Sequence, residues 1–221
     1  MQNTKTTMTW QKPAEFWDQR YGEPGKSFGT QPNAFLASQA GFFRTGQHVL
    51  VPGDGEGRNG VWLAQQGLVV DTVDASSNGA ANARALAAKR GVALNAVAAD
   101  LTEWPWPVAH YDAVVSIFLH LPQAIRAGLH AKMLAALKPG GVIVLEAYAT
   151  GQLHHQKAGT VGGPQNLDGL FSAEILRADF SAAEIVSLGE VETTIDEGTR
   201  HRGPSSVVRL IARRRGGEVQ V

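Results

Sequence analysis

Apolar residues along this chain gather in short runs, and between the runs they recur every three or four positions. His48–Val51, Leu68–Val73, Ala93–Ala99, Ala113–Phe118 and Val142–Tyr148 are runs of the first kind. None alternates cleanly between apolar and polar residues, as expected of parallel strands buried on both faces. Gly57–Gln66 predicts a helix that Gly67 stops. Ser76 predicts the cap of an Ala-rich helix running to about Arg90, with Gly91 as its stop. Pro122 suits the first position of a third helix, whose Ile125, Leu129, Met133 and Leu137 share one apolar face. Lys138-Pro139-Gly140-Gly141 then turns the chain into the fifth run.

Strand and helix therefore alternate, which predicts a parallel sheet covered on both sides. The ending differs. Ala183–Leu188 and Ser206–Ala212 read as two strands without a helix between them, an antiparallel pair closing one edge. Their connection holds Asp196, Glu197 and Gly198. Residues 1–44 carry Phe16, Trp17, Tyr21 and Phe28, aromatics expected to pack on the domain as a flap. The length of 221 residues suits one elaborated domain, with the core at 45–212, a lid loop at 149–171 and a tail at 213–221.

Composition narrows the chemistry. Lys plus Arg and Asp plus Glu number 20 each, a balance that argues against a dedicated electrostatic nucleic-acid binder but leaves room for a local basic patch, and Arg213-Arg214-Arg215 reads as a solvated run. There is no cysteine, which removes disulfides, thiolate metal sites and a cysteine nucleophile. Met1–Trp10 lacks the apolar core of a signal peptide, and no run reaches the roughly 18 residues of a membrane span. The expectation is a cytoplasmic protein, a monomer or homodimer, acting on a small molecule.

The strongest constellation lies between the first strand and the first helix: Pro52-Gly53-Asp54-Gly55-Glu56-Gly57-Arg58-Asn59. Glycines there permit tight turning and close approach of backbone to a ligand, and a helix N-terminus offers free N–H groups. Asp74, with Ala75 after it, ends the next strand, where a carboxylate can accept from both hydroxyls of a ribose. The site therefore reads as one for a nucleoside cofactor. Gly55–Gly60 also satisfies the dinucleotide pattern G-x-G-x-x-G, so a nicotinamide-dependent reductase is one reading. Asp100-Leu101 after the third strand, Ser116-Ile117-Phe118 in the fourth and Leu137–Gly141 before the fifth favour S-adenosylmethionine.

Over about residues 45–212 the order of these motifs resembles the class I S-adenosylmethionine-dependent methyltransferases. The resemblance implies a doubly wound Rossmann-like sheet of seven strands, mostly parallel, with the last reversed. Phe16-Trp17-Asp18-Gln19-Arg20-Tyr21 and Gly55-Glu56-Gly57-Arg58-Asn59 are similar to the tellurite-resistance methyltransferase branch. Val49-Leu50-Val51-Pro52-Gly53 is similar to the neighbouring thiopurine, thiol and halide methyltransferases. Those families often carry an acid where Val51 stands and a cysteine where Asp54 stands. The resemblance implies that Gly53, Asp54, Gly55, Gly57, Arg58, Asn59, Asp74, Ala75, Asp100, Leu101, Ser116, Ile117 and Phe118 hold the cofactor. It further implies a small, soft acceptor such as a thiol or a chalcogen oxyanion, in a chamber lined by Trp17, Tyr21 and Tyr148.

A soft anion needs no help with deprotonation, whereas an alcohol or phenol needs a general base. The candidates are His120 beyond the fourth strand, Tyr148 at the end of the fifth, His154 in the lid and His201 between the last two strands. Each has a plainer reading: a helix cap or adenosine neighbour for His120, a strand-end aromatic for Tyr148 and a solvated basic turn for His201. His154 and His155 diverge on an extended chain, so no metal is expected there. A small-metabolite O- or N-methyltransferase and a non-catalytic adenosyl-cofactor sensor remain as alternatives.

Overall fold

The computed structural model describes residues 13–216 except Pro24 and Lys26. Met1–Trp10 and most of the predicted tail lie outside the described residues. The elements run α1 (Pro13–Tyr21), α2 (Ala34–Ser38), β1 (His48–Pro52), α3 (Arg58–Gln65), β2 (Val69–Asp74), α4 (Ser77–Lys89) and β3 (Asn95–Ala98). There follow β4 (Tyr111–Ile117), α5 (Gln123–Ala136), β5 (Leu137–Tyr148), α6 (Gln152–Lys157), α7 (Ala173–Asp179), β6 (Ala183–Asp196) and β7 (Arg202–Arg214).

All seven strands join one sheet in the order β3-β2-β1-β4-β5-β7-β6. The pairs from β3 to β5 are parallel. β7 runs antiparallel to both β5 and β6, so the reversed last strand is as expected. Alternate residues of the central strands feed two cores. Leu50, Val114, Ile143 and Leu145 meet Leu129 and Met133 of α5 on one face. Val49, Val51, Val115 and Val144 meet Leu36 and Leu63 on the other. Both faces are buried, which is why these strands read as continuous apolar runs.

Local signals explain the boundaries. Ser76 caps α4 by accepting from the Gly79 N–H at 2.9 Å. Gly67 and Gly91 follow their helices with φ of +82° and +70°, the left-handed turn that ends a helix. Pro122 differs from expectation. It is the N-cap of α5, with an extended ψ of 147°, rather than its first helical residue. The strands of the last hairpin are also longer than their apolar runs. β6 continues through Glu190, Glu192, Thr193 and Thr194 because β7 supplies a backbone ladder to Asp196, although little of this edge strand is buried. The predicted lid is more ordered than its composition suggested: α6 and a 3-10 turn at Leu167–Gly169 occupy it. His154 and His155 diverge on a helix, not on an extended chain.

Candidate active site

The site lies beyond the C-terminal ends of β1, β2, β4 and β5, where open parallel sheets hold ligands. Its floor is the loop after β1. Gly53, Gly55 and Gly57 have φ of +69°, +57° and +84°. A Cβ on Gly57 would come within 2.7 Å of the Ala83 backbone, and one on Gly55 within 2.4 Å of the Tyr21 hydroxyl. The loop is thus closed by side chains and backbone that only glycine admits. Asp74 braces it from β2, its two oxygens accepting from the Gly55 N–H at 2.8 Å and the Ser76 N–H at 2.9 Å. Burial raises the Asp74 pKa against those two hydrogen bonds.

Asp54 is buried in the same loop. One oxygen accepts from the Gly60 N–H at 3.0 Å, while Oδ1 has no partner. Burial pushes its pKa up to about 7. A buried carboxylate with an unused oxygen and no direct cation matches a ligand that carries positive charge. The glycine cradle, Asp54 and the ribose-suited Asp74 together fit S-adenosylmethionine, whose sulfonium and ammonium are cationic. Gly60 is inside α3, where a Cβ would strike Asp54 and Thr72; its glycine serves helix–sheet packing.

The remaining predicted cofactor residues separate. Ser116 and Ile117 are buried at the end of β4, and Ala75 is half-buried after β2. Phe118 follows with φ of +53°, a conformation costly for a bulky side chain. Leu101 is in the core. Asp100 is exposed and folds its carboxylate onto the Thr102 N–H and hydroxyl at 2.8 and 2.7 Å. Arg58 and Asn59 turn their side chains away from the loop. Arg58 pairs with Glu197 at 2.6 Å with both side chains almost buried, and Asn59 accepts from the Asn33 N–H at 2.9 Å.

A cover of two distant segments closes the other side. α1 docks on α4 through Asp18, which accepts from the Ser76 hydroxyl at 2.5 Å and the Asn78 N–H at 2.9 Å. This seats Tyr21 over the glycine loop, stacked on Trp17 at 5.4 Å, with Phe28 beside both. The β6–β7 connection adds His201. The sequence read it as a solvated turn, but it is buried, with its ring 4.5 Å from Phe28, 4.6 Å from Phe118 and 5.4 Å from Tyr148.

Asn33 ties these segments together. Its side chain donates to Glu146 of β5 at 2.7 Å and to Glu197 at 3.0 Å, and it also caps α2. Arg209 of β7 completes the network on Glu146 at 2.6 Å. A cleft of about 350 Å³ opens beside this network, lined among others by Phe28, Phe35, Glu146, Ile195 and Arg209. Asn33, Glu146 and Arg209 drew no notice in the sequence. Asn33 follows a proline and precedes a short apolar run, and that capping position was its one local signal.

The four candidate bases also part company. His120 is held at both nitrogens, Nδ1 donating to the Gly169 carbonyl at 2.7 Å and Nε2 lying 3.5 Å from the Tyr148 N–H. Burial lowers its pKa to about 4. Tyr148 is fully buried and stacks on Phe118 at 4.7 Å. Its hydroxyl has no partner, and burial raises its pKa. His201 keeps an unpartnered buried Nδ1, and burial, then the Arg58 charge, drives its pKa down. His154 is exposed on α6, against His155. The structure does not bring it to this cluster.

Comparison with known proteins agrees with the architecture. Residues 49–141 match the family described as a methyltransferase domain. No curated protein matches the chain. Among solved structures, one from work on the conversion of a disulfide bond into a thioacetal group during echinomycin biosynthesis is similar at TM-score 0.74. It is 21% identical, over 93% of this chain and 94% of that one. TehB from Haemophilus influenzae is similar at TM-score 0.67 and 16% identity, over 92% of this chain and 67% of that one. Geranyl diphosphate C-methyltransferase from Streptomyces coelicolor A3(2) is similar at TM-score 0.65 and 14% identity, over 92% and 97%. The chain has the class I methyltransferase fold. The match over residues 49–141 is to a methyltransferase domain, which favours methyl transfer over the nicotinamide reading. No described helix is long and apolar enough to cross a membrane.

Proposed function

We propose that this protein methylates a small, soft nucleophile, a thiol or a selenite- or tellurite-type chalcogen species, held between Phe118, Tyr148, His201 and the N-terminal cover. S-adenosylmethionine supplies a methyl group already activated on a sulfonium. The chain must then align acceptor, methyl carbon and sulfur, and such positioning is worth up to roughly 7–11 kcal/mol. Asp54 offers its unused oxygen to the cofactor's cationic end, and Asp74 offers its remaining lone pairs to the ribose. Asp100 and Leu101 approach the adenine, Ser116–Phe118 flank its other side, and Ala75 borders the cofactor after Asp74. Trp17 and Tyr21 close the chamber above the loop.

One observation carries the choice of acceptor: among the described residues around Phe118, no ring or hydroxyl is both unoccupied and basic enough to take a proton readily near neutral pH. His120 has both nitrogens occupied and a pKa near 4. Tyr148 is held in its neutral form. His201 is held neutral and made a weak base, in part by the Arg58 charge. An alcohol or phenol would reach this chamber protonated and stay so, whereas a thiol ionises by itself near pH 8.5. Neighbours in fold include a C-methyltransferase and a protein of disulfide chemistry, so the fold leaves the acceptor open and the site's residues decide it.

A second reading rests on His201, whose buried Nδ1 is free to serve as a base in O- or N-methylation. Transfer from labelled S-adenosylmethionine to thiols, reduced selenite and tellurite, phenols and amines separates the two. The expected result is methylated thiol or chalcogen product, with a pH–kcat/KM midpoint that moves with the pKa of the thiol used. Transfer confined to phenols and amines, or a midpoint fixed by the enzyme, overturns the soft-nucleophile reading. Cofactor binding without turnover on any acceptor makes the protein a sensor.

A further inference from the structure

At the opposite end of the sheet from the glycine loop, three strands bring together two imidazoles and a carboxylate that methyl transfer does not use. His48 opens β1, Asp71 stands in β2, and His110 immediately precedes β4. Parallel pairing sets Leu50 beside Asp71, so His48, two residues before Leu50, shares the face of Asp71. The ligand atoms of His48, Asp71 and His110 all lie within 4.8 Å of one another. His48 Nε2 is 3.0 Å from Asp71 Oδ2, and the His48 and His110 rings meet edge to face at 4.8 Å.

We propose that His48, Asp71 and His110 form a site for a divalent transition-metal ion of the imidazole-preferring kind, zinc or nickel. Two imidazoles and one carboxylate suit these ions, and the chain has no thiolate to compete. Ligands at about 2.1 Å around a tetrahedral ion stand roughly 3.4 Å apart, so closure asks about 1 Å of movement. His110 is exposed, its ring edge to face with those of His48 and Tyr111, while its backbone N–H is fixed on the Ala136 carbonyl at 2.9 Å.

The surroundings are those of a held ligand. Asp71 Oδ2 accepts from the Tyr111 hydroxyl at 2.9 Å, and Oδ1 from the Asn95 side-chain amide at 3.1 Å. Such outer contacts orient a ligating carboxylate. Asp112 accepts from the His48 backbone N–H at 2.8 Å and is itself paired with Lys138, so the one carboxylate beside His48 that is not a ligand has its own cation. Ligation through His48 Nε2 uses the tautomer with the proton on Nδ1, so the ion takes the place of the His48–Asp71 hydrogen bond, and it leaves one coordination position to water. An ion there ties the N-terminal ends of β1, β2 and β4 to one another.

The test is calorimetric titration of the whole protein with zinc chloride and separately with nickel chloride, at pH 7.5 and 6.0, alongside thermal melts with and without EDTA. The expected result is one ion per chain, weaker binding at pH 6.0 and a higher Tm with metal. His110→Gln, at an exposed position, should weaken binding at least tenfold while circular dichroism is unchanged. Asn95→Ala should weaken it roughly 10–100-fold. His155→Gln, which alters the separate His155–Glu192 contact, should leave it as it was. Absence of binding, or binding that survives His110→Gln, or binding that His155→Gln removes, overturns the proposal.

Discussion

The two halves of the candidate site are built from different material. The cofactor side is backbone: three left-handed glycines, the start of α3, and one carboxylate that braces the loop through two N–H groups. The acceptor side is a side-chain network in which Asn33, Arg58, Glu146, Glu197 and Arg209 join segments up to 164 residues apart. A backbone site must be written in a short stretch of sequence, because only neighbouring residues shape one loop. A network across the fold leaves no local pattern, because each member looks like an ordinary polar residue where it stands.

The side-chain network depends most on the Arg58–Glu197 pair. Both side chains are close to buried, and removing one partner strands the other charge. Arg58→Gln or Glu197→Gln should each cost about 3–5 kcal/mol of stability, and the double variant should cost clearly less than the sum. Denaturant melts of the four proteins check this. Additive losses would show that the two residues act separately and that the cover is not held by this pair.

That difference also sets what could be read in advance. The strands were legible as apolar runs, the central ones because they are buried on both faces, and the tight loop after β1 because its three glycines and Asp74 are close in sequence. Arg58 and Asn59 were assigned to the cofactor because they sit in the glycine motif, but their side chains reach the cover instead. His201 looked solvated between two arginines, yet the hairpin folds it under Phe28. Nothing within a few residues of either carries that information. The polar half of β6 was missed for a related reason: its partner is a backbone ladder, not an apolar core.

On the cofactor side, Gly57→Ala is the sharpest probe. The new Cβ meets the backbone of Ala83 rather than the end of a mobile side chain, and the left-handed φ adds its own penalty. Together these should cost about 2–4 kcal/mol, with loss of cofactor binding. Gly55→Ala meets only the tip of Tyr21 and should cost less. Equal losses at the two positions would show that backbone conformation alone decides, not the contact with α4.

Asp74→Ala should weaken S-adenosylmethionine binding by roughly 10–100-fold, the worth of hydrogen bonds to a charged group. Considered from its position at the strand end, Asp74 is a ribose ligand whose removal spares the fold. The contacts show a second duty, since the Gly55 and Ser76 N–H groups both lose their acceptor. Calorimetry should therefore find weaker binding together with a lower Tm, and unchanged affinity would remove Asp74 from the cofactor site.

The smallest effect comes from pH, and it separates structure from chemistry on the acceptor side. His120 is neutral in the folded chain down to about pH 4, whereas in the unfolded chain it takes a proton near pH 6.5. Its contribution to stability is complete above pH 6.5 and is lost as pH falls from there towards 4. Between pH 7.5 and 5.5 this amounts to about 1 kcal/mol, and His201, shifted the same way, adds to it. Asp54, whose pKa is raised to about 7, takes up a proton across the same interval and offsets this loss in the cofactor-free chain, so both readings are taken with S-adenosylmethionine saturating, where its positive charge keeps Asp54 ionised. Turnover follows a different course. Neither ring changes charge in the folded state across that interval, so the rate with an acceptor that is ionised throughout should stay level while the Tm falls. A rate that drops in step with a histidine titration would mean that one of these rings exchanges a proton with the acceptor. The cover would then be doing chemistry rather than only holding the acceptor in place.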